Sequence, residues 1–202
     1  MLLKNTSRYP TEEARELLAF AAEGLDLAKV AVHVKNTSGA YAGMSYEAEP
    51  RIANASASAK HLVTLRIGAP NKFPTDNIRR SVRWVDMPEY DPVPDSGFVE
   101  NVIGLACGSP EYKQWWREHR IWTCFRGGVQ INRVQRKVES RMPYGGKGSP
   151  LIEMKDWREG LVALAAHEFN HIRQYQNSWP RSEVDCEKFA AKRLATYREV
   201  RA

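Results

Sequence analysis

Cysteine is scarce in this chain, and its placement does not suggest a disulfide framework. The 202 residues include three cysteines, Cys107, Cys124 and Cys186, and no Cys-x-x-Cys pair occurs. An odd number at such wide spacing predicts neither a set of disulfides nor a zinc site made of cysteine thiolates. We expect reduced thiols that are buried as small apolar side chains.

Long apolar runs are also missing. No segment approaches the roughly 20 apolar residues that a membrane-spanning helix needs, and the opening residues MLLKNTSRYP are too short and polar for a secretory signal. We therefore expect a cytoplasmic protein with no membrane partner, or one of the host-cell cytoplasm if its source is a virus. The sequence leaves the oligomeric state open.

The overall amino-acid composition predicts a folded domain. Hydrophobic residues make up 43% of the chain and charged residues 27%, which argues against wholesale disorder. We predict one domain over residues 1–202, with an insertion around residues 72–150. The net charge of +6 suits a basic enzyme and a nucleic-acid-binding protein equally well.

The first third of the chain predicts a helix followed by strands. Residues Thr11 to Glu23 carry an apolar stripe at helical spacing, and Thr11 is the expected N-cap. Apolar or alternating segments then predict strands at residues 30–34, 41–46 and 62–67.

The middle of the chain is less regular. A proline-rich acidic loop is expected at residues 88–94, and a helix from Glu111 to Trp122. Residues 129–138 have a pattern that fits a strand and a helix equally.

Two helices are predicted at the C-terminal end. The first runs from Trp157 to Gln176 with Asp156 as its cap, and its apolar turn at residues 161–166 indicates a buried helix. Ser182 caps the second, which ends near Val200. Its inward stripe is expected to comprise Cys186, Ala190, Leu194 and Tyr197.

The first of these helices contains the pentapeptide HEFNH, an instance of HExxH. Because residues four apart share a helix face, His167 and His171 can bind one metal ion together. Glu168 lies about 100° round the helix from His167, close enough to hold a metal-bound water. Catalytic zinc usually takes three protein ligands, so a third ligand is expected nearby.

The last helix supplies two candidates for that ligand. Glu183 and Glu187 fall on its inward stripe, whereas Asp185 points roughly the opposite way from Glu187. Buried carboxylates are costly unless they are paired or bind a metal. An acid in the first turn is also favoured by the helix dipole, but next to HEFNH we favour a metal ligand.

Together these segments resemble the HExxH zincin metallopeptidases, and more narrowly the gluzincins, whose downstream helix reads E-x-x-x-D or E-x-x-A-D. In EVDCEKFA, Glu183 matches the ligand glutamate and Glu187 the acid that orients a ligand histidine. The sequence departs from that pattern at Cys186, where alanine is usual, and at Glu187, where aspartate is usual. The interval from His171 to Glu183 is short, at 12 residues, so Glu187 remains an alternative ligand.

The resemblance implies a fold, a cofactor and a reaction. Small SprT-like, ImmA-like and phage-associated zincin domains are α+β, with an N-terminal helix, a small mixed sheet, an active-site helix and a C-terminal ligand helix. A Zn²⁺ ion would be held by His167, His171 and Glu183. Glu168 would be the general base in hydrolysis of a peptide or protein substrate. An edge strand at residues 62–67 would hold that substrate.

Two other hypotheses remain open. The chain can be a zincin-fold protein that associates with nucleic acid, or a structural or virion component without general proteolytic activity. Aromatic side chains among cations can stack on unpaired bases. The relevant cations are Arg79, Arg80, Arg83, Arg126, Arg133, Arg136, Lys137 and Arg141, interleaved with Trp115, Trp116 and Trp122.

Overall fold

The computed structural model describes residues 1–47, 59–87, 104–106, 108–126 and 129–202, which form a mixed α+β fold. The described elements are β1 (Leu2–Asn5), α1 (Thr11–Ala22), β2 (Val30–Asn36), β3 (Tyr41–Glu47), β4 (His61–Ile67), β5 (Thr75–Asp76), β6 (Ile78–Asp86), α2 (Pro110–Glu118), β7 (His119–Arg126), β8 (Val129–Pro143), β9 (Glu153–Met154), α3 (Trp157–Gln176) and α4 (Glu183–Arg201). None of these helices is long and apolar enough to cross a membrane.

The chain divides into two compact units. The first comprises Met1–Arg79 and Met142–Ala202, and the second comprises Arg80–Arg141. The second unit falls within residues 72–150, the range that the sequence assigns to an insertion.

A four-stranded mixed sheet forms the base of the first unit. Its order is β1-β2-β4-β3, with β1, β2 and β4 parallel and β3 antiparallel to β4. Alternate residues of β2 and β4 are fully buried, as the two-residue period of a strand requires. These buried residues are Val30, Val32, Val34, Val63, Leu65 and Ile67.

Helix α3 lies between this sheet and the other helices, in contact with α1, α4, β3 and β4. Its first turn is capped by Asp156, whose carboxylate accepts hydrogen bonds from the Arg158 and Glu159 backbone N–H groups. All of residues 159–170 are buried, and Phe169 has no solvent exposure. The apolar turn at residues 161–166 therefore predicted burial correctly.

Helix α4 packs against α3 as the sequence predicts. Ser182 caps it by accepting a hydrogen bond from the Asp185 backbone N–H. The expected inward stripe is buried throughout, and it comprises Cys186, Ala190, Leu194 and Tyr197.

The second unit contains a three-stranded sheet of order β6-β8-β7 and the helix α2. Strands β7 and β8 are antiparallel, with His119 opposite Arg136. A small apolar cluster surrounds the buried Val134 and includes Trp115 of α2 and Ile121 of β7. The ambiguous segment at residues 129–138 is thus a strand, because pairing on both sides supplies partners for its backbone.

Three expectations about element positions are wrong. The predicted helix from Glu111 to Trp122 ends at Glu118, and Trp122 lies in β7, where β-branched and aromatic residues favour pairing with β8. Thr11 is the first residue of α1 rather than its cap; Pro10 occupies that position without a side-chain hydrogen bond. Residues 62–67 lie in β4, which is paired on both sides and is not an edge strand.

Other expectations concern residues outside the described part of the chain. The proline-rich loop at residues 88–94 lies there, as does Cys107, and the side chain of Cys124 is not described. Cys186 is a free, buried thiol, as expected.

Glu159 joins the beginning of α3 to the end of α4. Its carboxylate accepts two hydrogen bonds from Arg198, at 2.9 and 2.6 Å, and one from the Lys155 backbone N–H at 2.8 Å. Burial raises the pKa of Glu159, but these hydrogen bonds and the nearby positive charges outweigh it, so the pKa lies below its ordinary value.

Replacing Glu159 with Gln should lower the free energy of unfolding at pH 7 by about 1–2 kcal/mol, because a charge-assisted pair is lost. Since the folded pKa is depressed, this contribution is complete above the unfolded pKa and is lost as the pH falls through the folded value. Urea unfolding between pH 7 and pH 3 measures the difference.

The matched control is Glu12→Gln, which breaks an Arg15 pair whose carboxylate is 79% exposed. This change should leave stability almost unaltered. Equal losses in both variants, or a Glu159→Gln loss that persists at low pH, would contradict the assigned contribution.

Candidate metal centre

The two histidines of HEFNH lie one turn apart on the buried face of α3 that meets α4. Both imidazoles are about nine-tenths buried, with 9% of each side chain exposed. Their rings are inclined at 75°, with centroids 4.9 Å apart. This arrangement directs both Nε2 atoms to the same place.

Glu183, in the first turn of α4, completes a triangle of donor atoms. Its Oε2 lies 3.1 Å from His167 Nε2 and 3.3 Å from His171 Nε2, and the two Nε2 atoms are 3.2 Å apart. Atoms bound at 2.0–2.1 Å around a tetrahedral zinc ion are about 3.3–3.4 Å from one another. The three donors therefore fit one zinc ion closely.

Glu187 lies on the other side of His167. Its Oε1 is 3.1 Å from His167 Nδ1, and its Oε2 accepts a hydrogen bond of 2.5 Å from Asn77 Nδ2. A carboxylate on the second nitrogen of a ligand histidine fixes the tautomer and the ring orientation. The geometry thus favours Glu183 over Glu187 as the third ligand, with Glu187 orienting His167.

Asn77 belongs to this site, and the sequence analysis missed it. The residue is 4% exposed, and its side chain also donates to the Pro150 carbonyl and accepts from the Ile152 backbone N–H. It lies 110 residues before Glu187, in a short segment without helical or strand periodicity. No local sequence pattern therefore identifies Asn77 as part of the site.

Cys186 offers a second set of metal-binding atoms. With His167 and His171 it forms a group of ligand-type atoms that all lie within 4.8 Å of one another. Its sulfur, however, lies 3.3 Å from His171 Nδ1, the nitrogen that faces away from Glu183. Burial raises the pKa of this thiol to about 12, whereas zinc binds the thiolate.

Glu168 lies against β3, within electrostatic reach of His167 and Glu183. The residue is 5% exposed. Its carboxylate lies so close to Gly43 that a side chain at position 43 would collide with Glu168 and with Leu164. Burial raises the pKa of Glu168, against the opposing effects of His167 and of a hydrogen bond with Ser45. A carboxylate with a raised pKa is suited to exchange protons near neutral pH.

The two histidines are electrostatically unequal. Burial lowers the pKa of His167, but its hydrogen bond to Glu187 and the charges of Glu168, Glu187 and Glu183 outweigh this, so its pKa is raised. Burial and the adjacent His167 lower the pKa of His171. The carboxylates therefore favour the protonated form of His167, whereas the protonated form of His171 is disfavoured.

Two cavities adjoin this group of residues. The first, of about 380 Å³, contacts His167 and Glu168 and has a largely apolar lining that includes Leu164 and Met154. The second, of about 290 Å³, contacts His171. Residues 41–43 of β3 line the first cavity and Ser45 lines the second, so β3 extends along both.

The remaining histidines are not part of this group. His61 is buried, with its ring 5.8 Å from that of Tyr175, and His119 stacks on Trp115 at 4.2 Å. His33 Nε2 lies 3.0 Å from the Thr6 hydroxyl. His61 and His119 thus pack against aromatic rings, and His33 lies beside a hydroxyl group.

Comparison of the chain with protein-family models, curated proteins and solved structures found no match in any of the three. The local geometry of the site is therefore the basis for assigning its chemistry.

If the triangle is a metal site, the purified protein should bind one zinc ion per chain. His167→Ala, His171→Ala and Glu183→Ala should each weaken zinc binding by more than about 100-fold, and Glu187→Gln by about 10–100-fold. Competition with a chromophoric chelator measures these affinities.

Cys186→Ala is the matched control, because it removes a buried potential ligand while the three donor atoms and the Gln174 partner of His171 Nδ1 remain. We expect its zinc affinity to equal that of the wild-type protein. If Cys186→Ala lost zinc and Glu183→Ala retained it, the proposed donor set would be wrong. The ligands would then be His167, His171 and Cys186.

Proposed function

We propose that the chain is a zinc-dependent metallopeptidase with a zincin-like arrangement. His167, His171 and Glu183 hold the zinc ion, and Glu168 is the general base. The observation that carries the proposal is the near-equilateral triangle of donor atoms, with a buried carboxylate of raised pKa immediately beside it.

The donor set supports zinc in a catalytic rather than a structural role. Two imidazoles and one carboxylate are a known ligand set of hydrolytic zinc, and three protein ligands leave one position for water or substrate. When bound, zinc acts as a Lewis acid that polarises a carbonyl and lowers the pKa of coordinated water to about 7. Glu187 and Asn77 hold His167 in the required orientation.

Glu168 supplies the proton-transfer step. Its carboxylate accepts the proton of the attacking water and then donates it to the leaving amine of the peptide. The contacts with Gly43 and Ser45 hold the carboxylate beside β3. Its burial raises the pKa of the carboxyl group, which favours uptake of the proton from water.

Strand β3 is suited to hold the peptide. Among the described strands it pairs only with β4, so its other edge is available for an extended segment. This replaces residues 62–67 as the expected binding strand. The first cavity, beside His167 and Glu168, offers space for an apolar side chain next to the scissile bond.

The nucleic-acid hypothesis has less support than the metallopeptidase proposal. In strand β6, neighbouring side chains alternate between faces, so Arg79 and Arg83 share one face while Arg80 lies on the other. Trp115 packs into the cluster around Val134. Of the cations proposed for a single basic surface, Arg80 and Arg83 thus lie on opposite faces of one strand.

Glu168→Gln should retain zinc and lower the rate of peptide cleavage by about 10²–10⁴-fold, because the amide cannot accept the proton. Cleavage is measured by mass spectrometry on a proteome-derived peptide library, with zinc content determined in parallel. Glu16→Gln, an exposed change on α1, is the control and should leave cleavage intact. Full activity in Glu168→Gln would remove the residue from the mechanism.

Gly43→Ala tests the position of the same carboxylate. The added methyl group would collide with the ends of the Glu168 and Leu164 side chains, so Glu168 should be displaced while the zinc ligands remain in place. We expect normal zinc affinity and a loss of cleavage of about 10-fold or more. Gly39→Ala, where the added methyl group would meet only the Thr37 hydroxyl, at 4.0 Å, provides the comparison. Equal activity in both variants would contradict the close contact.

A further inference from the structure

The second cavity differs in chemistry from the first. Its lining includes Arg181 and two exposed aromatic residues, Tyr175 and Trp179, together with His171 of the metal triangle. Tyr175 is 55% exposed and Trp179 is 57% exposed. Large aromatic side chains that remain exposed beside a cation are typical of a binding surface.

Arg181 is the cation of this cavity. Its charge lowers the pKa of both Glu168 and His171, which places it within electrostatic reach of the catalytic group. Among the described residues no carboxylate forms an ion pair with it, whereas Arg158, Arg193 and Arg198 each have a glutamate partner. The guanidinium is therefore available to an external anion.

The position of β3 relates this cation to a bound peptide. Because residues 41–43 line the first cavity and Ser45 lines the second, an extended chain along β3 reaches both. Its residues on one side of the scissile bond would contact the apolar lining, and those on the other side would contact Arg181. A guanidinium pairs with a carboxylate through two parallel hydrogen bonds.

We infer that the second cavity recognises a carboxylate of the substrate through Arg181, with Tyr175 and Trp179 packing against the same substrate residue. This inference rests on the proposed peptidase function and specifies its substrate. The carboxylate can belong to an acidic side chain, in an endopeptidase, or to the C-terminus of the peptide, in a carboxypeptidase.

The test compares cleavage of two forms of one proteome-derived peptide library, one with free C-termini and one with amidated C-termini. Wild-type zinc-loaded protein should favour substrates with a carboxylate at one position by about 5- to 10-fold. Arg181→Ala should abolish the preference, and Arg181→Glu should reverse it towards Lys and Arg. Lys188→Glu, a charge reversal at an exposed position on α4 outside both cavities, should leave it unchanged.

The two libraries identify the source of the carboxylate. A preference for Asp or Glu that survives amidation assigns an acidic side chain, and a preference lost on amidation assigns the C-terminus. Cleavage without any carboxylate preference would overturn the inference and leave the peptidase function standing. Equal loss of cleavage of all peptides in Arg181→Ala would overturn it as well, because Arg181 would then serve the reaction itself.

A binding measurement keeps the inference testable if no cleavage occurs. The Glu168→Gln protein is immobilised with zinc, and the peptides it retains from both libraries are identified. Retention of carboxylate-bearing peptides that is lost in Glu168→Gln/Arg181→Glu supports the inference even if the proposed peptidase function fails. Retention independent of Arg181 overturns it.

Discussion

Two imidazoles and two carboxylates face one another between α3 and α4, where little water reaches the histidines. Such groups are costly to bury unless each finds a partner. Here every one does: Glu183 contacts both Nε2 atoms, and Glu187 bridges His167 and Asn77. This set of interactions lies where the two helices meet, and a metal ion would satisfy the three convergent donors together.

The rest of the first unit holds that interface in position. Asp156 and Ser182 cap the two helices, and the Glu159–Arg198 pair joins the start of α3 to the end of α4. The parallel strands β2 and β4 bury their alternate residues in the same apolar core as α3. Gly43 lets β3 approach Glu168 more closely than any other residue would allow, so the proposed general base lies beside a strand that pairs, among the described strands, only with β4.

The helical parts of this arrangement were readable from sequence because they depend on local rules. The bounds of α3, both caps, and the inward direction of Glu187 follow from periodicity and capping chemistry. The sequence also indicates Glu183 as a metal ligand. Its side chain is 42% exposed, which is more than a position on the inward stripe of a helix implies.

The features that sequence reasoning missed depend on contacts between distant segments. Asn77 reaches Glu187 across 110 residues, and β4 is an interior strand because β3 pairs with the edge that β2 leaves open. The end of α2 at Glu118 reflects pairing of β7 with β8, which overrides the helical pattern of the tryptophans. Arg181 carried no motif, and its relation to the cavity exists only in the fold.

The proposed zinc site is tested most directly by identifying the atoms that bind zinc in the metal-loaded protein. X-ray absorption at the zinc edge of the metal-loaded protein should show nitrogen and oxygen ligands at about 2.0–2.1 Å, with outer-shell scattering from two imidazoles and no sulfur. A sulfur ligand at about 2.3 Å, or scattering from a single imidazole, would contradict the site made by His167, His171 and Glu183.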